Sequence, residues 1–236
     1  MNRYLSTVGL YARWNLYKTL TIILITALAA GFLVYRYPIG TVVLDENYVS
    51  AETGETTQLV ASYPKLEGVV SGSGAPVVCA AGFAAIVAVM SLTGCGYGAK
   101  TEYTIRRLRV KERQAVLLWA AYHAVLLVIY WAVLAAVLYG VMHLRLQMDV
   151  PVDYFVYMYG PQSMLLLCYT DTFLHHLLPL RDVAAWGVGI ASVLAAALST
   201  VLFSYRQRRG SFSVMVLLAL TMLIPMLNIL AKSFSD

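Results

Sequence analysis

The chain has 236 residues, and its composition excludes an ordinary soluble protein. Hydrophobic residues make up 60% of the chain, charged residues make up only 12%, and the mean hydropathy is +0.72. The formal net charge is +5, but the basic residues stand at the ends of apolar segments. There they are typical of topology signals and not of a nucleic-acid-binding face. Composition therefore predicts a multi-pass membrane protein that has neither a soluble catalytic domain nor a nucleic acid partner.

Residues 1–18 predict an amphipathic helix that lies in the membrane interface. One side of this helix is apolar or aromatic, and Arg13 stands on the opposite side. Trp14, Tyr17 and Lys18 then mark the point where the chain enters the bilayer, as interfacial aromatic and basic residues commonly do. An irregular basic tail is the alternative. The polar start, with no small-residue cleavage site after the first apolar run, predicts that this run stays as a membrane helix.

Six segments are apolar and approach the roughly 20 residues that span a hydrocarbon core. In chain order they are 19–37, 76–97, 114–141, 161–180, 183–204 and 212–231. The fourth contains Asp171, His175 and His176, so it either crosses while facing protein or dips into the membrane as a re-entrant element. Six crossings with both termini in the cytosol are the favoured arrangement. The predicted fold is an all-α polytopic bundle that forms a single transmembrane domain over residues 1–236.

Charge assigns the connecting segments to opposite sides of the membrane. Residues 38–75 carry five carboxylates and one lysine, which predicts an extracytoplasmic loop, and the run Thr41–Leu44 permits a small hairpin. Residues 98–113 are strongly basic, which predicts a cytoplasmic segment. The arginines near the end of the chain conflict with six crossings, because they then lie outside the cytosol. If 161–180 only dips into the membrane, they return to the cytosolic side; these arginines are Arg206, Arg208 and Arg209.

The run from Gly94 to Thr101 looks like a phosphate-binding P-loop but lacks two of its requirements. Lys100 and Thr101 stand at the correct offsets from Gly94, whereas Ala99 occupies the position of the last glycine. A P-loop must also follow a β-strand, and this run follows an apolar membrane segment. We therefore expect no nucleotide site in this chain.

Asp171 and His175 stand four residues apart, on one face of a predicted helix, with His176 adjacent. Such residues can bind a metal or relay a proton inside a membrane, but they do not complete a metal site. Hydrogen bonding to neighbouring helices is the favoured interpretation. His123 is likewise interpreted as a packing residue. The three cysteines lie in or beside apolar segments and imply no disulfide framework; they are Cys79, Cys95 and Cys168.

Small residues recur every four positions on two of the apolar segments, a spacing that lets helix backbones approach closely in lipid. Packing within the chain is the favoured interpretation, and a subunit interface is the alternative. Pro225 with Asn228 predicts a kink in the last segment. The small residues are Gly187, Ala191, Ala195 and Ser199 on one segment, and Ala132, Ala136 and Gly140 on the other.

The basic segment 98–113 is the most informative polar part of the chain. Thr101 can cap a short helix in which Ile105 and Leu108 form a small apolar stripe among arginines. A solvated loop that only sets topology explains the charges equally well. The capped start, the stripe and the length together favour a helix that docks on a cytosolic partner.

As an arrangement, the whole chain resembles the permease subunit of a type-2 ABC exporter of the small bacterial class. The shared features are an N-terminal interfacial helix, a first pair of crossings joined by an extracytoplasmic loop, a basic cytoplasmic helix, and about six crossings. The run Gln207-Arg208-Arg209-Gly210 also looks like a part of such permeases. One run resembles the coupling-helix region of that family; it consists of Thr101, Glu102, Tyr103, Thr104, Ile105, Arg106, Arg107, Leu108 and Arg109.

The resemblance implies that this chain binds no cofactor of its own and that a separate cytosolic ATPase binds ATP and Mg²⁺. ATP-driven motion of that partner would reach the membrane through Thr101–Arg109. The resemblance also implies a second permease copy or a sibling permease, and a place in the bacterial plasma membrane with the N-terminus in the cytosol. The short connection 205–210 departs from the family, which usually places re-entrant helices before its last crossing.

Two other hypotheses come from different classes. One is an intramembrane enzyme that uses Asp171, His175 and His176. The other is a secondary transporter that uses the same residues, or a non-catalytic membrane scaffold. The last hypothesis is favoured if function survives loss of the basic segment and no ATPase binds.

Overall fold

The computed structural model describes residues 2–49, 56–65, 68–93, 112–149, 170–178 and 183–208. Within these ranges four helices are long and apolar enough to cross a membrane: Asn15–Arg36, Ala75–Leu92, Arg113–Arg145 and Val183–Ser204. The prediction of a helical membrane protein is confirmed at this level, with a two-stranded β hairpin as an addition. The elements are α1 (Asn2–Arg36), β1 (Gly40–Val49), β2 (Thr56–Lys65), α2 (Val69–Gly72), α3 (Ala75–Thr93), α4 (Glu112–Asp149), α5 (Thr172–Leu177) and α6 (Val183–Arg208).

The first helix is continuous where the sequence predicted a boundary at Lys18. α1 runs without a break for 35 residues, so at 1.5 Å per residue it is about 52 Å long. A hydrocarbon core is only about 30 Å thick, which is why the membrane candidate begins at Asn15 and leaves a full N-terminal extension of the same helix beyond it. The position of that extension in the membrane interface stays a prediction.

The predicted hairpin is present between α1 and α2. Strands β1 and β2 pair antiparallel from Gly40 opposite Lys65 to Val49 opposite Thr56. The short helix α2 follows, with Gly68 before it and Gly74 after it. Gly68 has φ 72° and Gly74 has φ 78°, a left-handed conformation that glycine adopts more easily than other residues. The predicted loop 38–75 is thus largely an ordered hairpin followed by a turn of helix.

Glycines set the contacts of α1 with its two neighbours. A Cβ atom added at Gly82 of α3 would collide with the side chain of Thr26, so these helices touch at this point. A Cβ atom added at Gly31 of α1 would lie 3.0 Å from Val137 Cγ1 on α4. Such contacts are the usual means of close approach between membrane helices. Helix α1 is therefore held between α3 and α4.

Helix α6 runs antiparallel to α4 and ends beside the end of α3. The rings of Trp186 and Trp131 lie 5.6 Å apart, and further along both helices His123 Nδ1 lies 2.8 Å from Thr200 Oγ1. Near its end, Ser204 Oγ donates a hydrogen bond to the Ser91 carbonyl at 2.6 Å. The last turn of α6 consequently lies at the same end of the bundle as the last turn of α3.

These contacts define two ends of the bundle. The basic end is where α1 begins, α3 ends, α4 begins and α6 ends; the hairpin end is where α1 leads into the β hairpin and where α2 lies. Arg206 and Arg208 belong to the last turn of α6 and thus to the basic end. The segment 98–113 joins α3 to α4 at that same end. This placement favours the arrangement in which 161–180 does not cross, while the number of crossings stays a prediction.

The interpretation of 161–180 as one crossing helix is wrong for the part that the structure describes. Asp171 has extended backbone angles, φ −87° and ψ 118°, and the helix that follows it covers only Thr172–Leu177 before Leu178 leaves helical geometry. Helix α5 contacts α2 at the hairpin end through Asp171. The re-entrant alternative agrees with this short helix. The sixth predicted segment, 212–231, lies outside the described residues.

The described helices enclose one large apolar cluster, with a second, smaller cluster near the basic end. The larger one fills the space between α1, α3 and α4 and reaches α5 and α6; Ile86, Met90 and Leu126 are among its most fully buried members. The smaller one consists of Trp119, Ala120 and Val201, between α4 and α6. Long apolar side chains on the outer faces of α1, α4 and α6 stay exposed, as expected for helices that face lipid.

Candidate functional site

Asp171 is completely buried and its carboxylate is saturated with hydrogen bonds. Oδ1 accepts from Phe173 N at 3.0 Å and Leu174 N at 3.2 Å, both in the first turn of α5. Oδ2 accepts from Val70 N at 3.0 Å and Ser71 N at 3.1 Å, both in α2. Ser71 Oγ adds a fifth bond to Oδ1 at 2.9 Å. One carboxylate therefore caps the N-termini of two helices.

The second capping role explains how α2 begins without a cap of its own. Its N-cap position is Gly68, which has no side chain to accept from the first amides of the helix. Asp171 supplies that acceptor from about 100 residues further along the chain. A negative charge at two helix N-termini is also favourable because the backbone dipoles point their positive ends at it. The arrangement joins α2 and α5 into one unit at the hairpin end.

The predicted helix face shared by Asp171 and His175 is not present. Asp171 precedes the helix as its cap, and only His175 and His176 belong to α5. The side chain of His175 is half-buried, that of His176 is exposed, and their rings lie 6.1 Å apart. Within the described ranges no group of three or more His, Cys, Asp or Glu side chains is placed to hold a metal ion. The favoured interpretation, hydrogen bonding to a neighbouring helix, describes Asp171.

The small residues of α6 do not form one contact surface. Gly187 and Ala191 are exposed, Ala195 is half-buried, and Ser199 is buried with its hydroxyl donating to the Ala196 carbonyl. A Cβ atom added at Gly187 would meet nothing within 4 Å, and the same holds for Gly140 on α4. Packing within the described chain therefore accounts for the Ser199 end of this stripe and not for Gly187.

The predicted coupling residues, Thr101–Arg109, and the run that resembles a P-loop lie outside the described residues. Their flanks are described: α3 ends at Thr93 and α4 begins at Glu112. Both flanks lie at the basic end of the bundle. Cys95 and Cys168 also lie outside the described ranges, while Cys79 is a buried free thiol.

His123 is buried, as expected for a packing residue, but only one of its nitrogens has a partner. Nδ1 lies 2.8 Å from Thr200 Oγ1 on α6, and the ring of Trp119 meets the imidazole edge to face at 5.5 Å. Nε2 has no hydrogen-bond partner among the described residues. Sequence reasoning named His123 and missed Thr200. The repeat of Thr200 and Ser204 at a four-residue spacing in an apolar helix was the available signal.

Sequence reasoning also missed Arg145, which fixes the end of α1. One guanidinium nitrogen, Nη1, donates to the carbonyls of Val34 at 3.2 Å, of Tyr35, and of Tyr37 at 2.9 Å. These carbonyls belong to the last turn of α1 and the residue after it, where intrahelical partners run out. A cation at a helix C-terminus is also favoured by the helix dipole. Arg145 therefore ties α4 to the hairpin end of α1.

None of the protein-family models, curated proteins and solved structures compared with this chain matches it.

Proposed function

We propose that this chain is the permease subunit of an ATP-driven exporter of the type-2 ABC class and is coupled to a separate cytosolic ATPase. The observation that carries the proposal is the convergence of basic segments at one end of the bundle. The last turn of α6, with Arg206 and Arg208, lies near the end of α3, and segment 98–113 follows α3 in the chain. That segment then leads directly into α4.

The basic end is proposed to face the cytosol of a bacterial cell, with the N-terminus on that side. Lys and Arg residues near membrane crossings set orientation, and the basic segments emerge together at this end. Arg106 and Arg107 within segment 98–113 would then offer positive charge to an acidic partner surface. Such docking steers association and weakens as salt screens the charges.

ATP and Mg²⁺ are proposed to bind to the partner and not to this chain. The only P-loop-like run in the sequence has Ala99 at a position that needs glycine and follows a helix, α3, in place of a strand. Two permease copies, or one copy with a sibling permease, would form the pathway. Their interface is proposed to use exposed small residues such as Gly140 and Gly187, whose open sides allow close approach.

Co-purification tests the proposal directly. The chain is expressed together with a candidate ABC-type ATPase from the same genome, extracted in detergent and isolated by a tag on the permease. We expect a stable complex that hydrolyses ATP, whereas the permease alone hydrolyses none. A permease that is isolated without an ATPase from such cells would contradict the proposal.

A charge-reversal pair locates the docking surface. Arg106→Glu with Arg107→Glu is expected to lower recovery of the ATPase at least tenfold, and raising the salt concentration should lower recovery of the unchanged complex. Arg36→Glu is the matched control, because Arg36 is an exposed arginine at the opposite, hairpin end. Equal loss in both variants would point to general damage and not to docking.

The intramembrane-enzyme hypothesis draws less support from the described geometry. All of the hydrogen bonds described for the Asp171 carboxylate go to α2 and α5, which is a structural role. Loss of function in an Asp171 variant would therefore not identify a catalyst. His175→Ala with His176→Ala leaves the cap intact and is the sharper test: unchanged function in that variant removes the hypothesis.

A further inference from the structure

Buried polar side chains gather in the third of the bundle nearest the basic end. Eight polar or charged residues are buried among those whose side chains the structure describes, and six of them lie in this third. We call five of these residues, which come from three helices, the polar layer. They are Asn15 and Thr19 of α1, His123 of α4, and Thr200 and Ser204 of α6.

Helix geometry places these residues in the same part of the bundle. Thr26 of α1 faces Gly82 of α3, and Ser91 follows Gly82 by nine residues, which is about 14 Å toward the basic end. On the antiparallel helix α1, Thr19 and Asn15 precede Thr26 by about 11 Å and 17 Å. Ser91 accepts the hydrogen bond from Ser204, so these two residues lie at the same depth. Thr200, the partner of His123, lies one turn closer to the hairpin end than Ser204. The polar layer therefore spans about 9 Å, or nearly two helical turns, along the bundle.

The hydrogen bonds of Thr200 determine which nitrogen of His123 carries the proton. Thr200 has one hydroxyl hydrogen, and it is donated to the Ala197 carbonyl at 2.8 Å. With that bond made, Thr200 Oγ1 accepts from His123, and we assign the proton of the imidazole to Nδ1. An imidazolium buried without a counter-charge would be costly, so we take the ring as neutral. Nε2 is consequently a bare acceptor.

A bare acceptor in this position is costly. A buried polar atom without a hydrogen bond costs about 1–3 kcal/mol, and Nε2 has no partner among the described residues although the side chain is completely buried. The hydroxyl of Tyr122, the adjacent residue on α4, is also buried without a partner in the described ranges. Two unsatisfied polar atoms from neighbouring residues indicate that something other than the described side chains completes the layer.

We propose that His123 Nε2 is the acceptor of an internal binding site, within the polar layer, for an O–H group. The donor comes from one of two sources, a water molecule held inside the bundle or a hydroxyl group of a transported molecule. The water source requires nothing of the exporter proposal; only the second source rests on it. Polar groups inside membrane bundles commonly mark substrate or water pathways.

The site is tested on the unchanged protein in lipid bilayers by solid-state NMR with ¹⁵N-labelled histidine. The His123 signals are identified as those that disappear in His123→Asn, and a chain with His143, His175 and His176 all replaced by Gln provides an independent assignment. We expect the Nε2 signal at the position of a hydrogen-bonded nitrogen and the Nδ1 signal at that of a protonated one. A signal at the position of an unbonded Nε2 overturns the proposal.

Proton exchange and washing distinguish the two sources of the O–H donor, water and a transported molecule. If the donor is water, the Nε2 signal correlates with bulk water protons and the correlation disappears in D₂O. If it is a transported molecule, the correlation involves carbon-bound protons, and extended washing removes it together with a small organic compound seen by mass spectrometry. Tyr122→Phe is the matched control, because it leaves Nε2 bonded in either case. Loss of the bonded signal in Tyr122→Phe would show an internal partner and overturn the proposal.

Discussion

Asp171 and Val70 stand 101 positions apart in the chain, yet Asp171 Oδ2 accepts a hydrogen bond from the Val70 backbone nitrogen at 3.0 Å. The same carboxylate caps its own helix through Phe173 and Leu174. A single side chain thus holds the segment that follows the hairpin against the segment that precedes α6. Elements that are short and distant in sequence depend on such a bond, because neither helix is long enough to be stable alone.

We expect Asp171→Ala to destabilise the protein by about 3 kcal/mol or more, because it removes the acceptor of four backbone amides, of which only Phe173 N keeps another acceptor, Ser71 Oγ at 3.4 Å. Asp171→Asn should cost less, since one amide oxygen still accepts. Thermal unfolding of the purified protein in detergent measures both. His176→Ala, an exposed change on the same short helix, is the control and should stay within about 0.5 kcal/mol. Equal effects of the two alanine variants would contradict the capping role.

Two glycines should respond in opposite ways to the same substitution. Gly82→Ala places a methyl group against Thr26 and is expected to cost about 1–3 kcal/mol through overpacking between α1 and α3. Gly140→Ala meets nothing within 4 Å and should be neutral or stabilise the isolated chain by up to about 1 kcal/mol. Thermal unfolding in detergent compares them, and Thr26→Ala should partly rescue Gly82→Ala.

The Gly140 variant also tests the proposed subunit interface. If a second permease copy packs against this side of α4, Gly140→Ala should weaken dimers while leaving the isolated chain as stable as before. Cross-linking in membranes, or mass measurement of the detergent complex, reports the dimer fraction. An unchanged dimer fraction removes Gly140 from the interface.

Loss of the Arg145 side chain should loosen the end of α1. Arg145→Ala removes the donor to the Val34, Tyr35 and Tyr37 carbonyls, and we expect a cost of about 1–2 kcal/mol. Arg145→Lys keeps the charge but not the planar set of donors, so its loss of stability should lie between that of the unchanged protein and that of Arg145→Ala. Hydrogen exchange at the end of α1 measures the loosening directly. Met148→Ala, an exposed change one turn further along α4, should leave that exchange unaltered.

Cysteine labelling tests which ends of the helices share a side of the membrane. In a background with Cys79, Cys95 and Cys168 replaced, Gln207→Cys and Gly98→Cys should react with an impermeant thiol reagent from the same side. Met148→Cys, exposed at the hairpin end of α4, should react from the opposite side. If Gln207→Cys and Met148→Cys react from the same side, the chain must cross the membrane between α4 and α6, and 161–180 would be that crossing.

Much of the membrane architecture was predictable from local patterns. The apolar runs behind α1, α3, α4 and α6 approach or exceed the length of a hydrocarbon core, and that property needs no knowledge of neighbouring helices. Alternation and the glycine, proline and serine positions permitted a small hairpin, and the structure has one over Gly40–Lys65. The prediction for 161–180 was wrong as a single helix because length and hydropathy do not reveal that Asp171 accepts from the amides of α2. That acceptor role holds Asp171 in an extended conformation, and helix α5 begins after it.

The sequence by itself determined that this protein lies in a membrane, which segments are apolar enough to cross it, and where its basic charge is concentrated. These properties are sums over neighbouring residues, so they survive without tertiary information. Only the tertiary structure decided that Asp171 caps two helices, that α6 returns to the end where α3 finishes, and that His123 pairs with Thr200 through one nitrogen. Each of these depends on which donors and acceptors meet across helices, and hydrogen bonds of that kind join residues whose separation in the chain carries no signal.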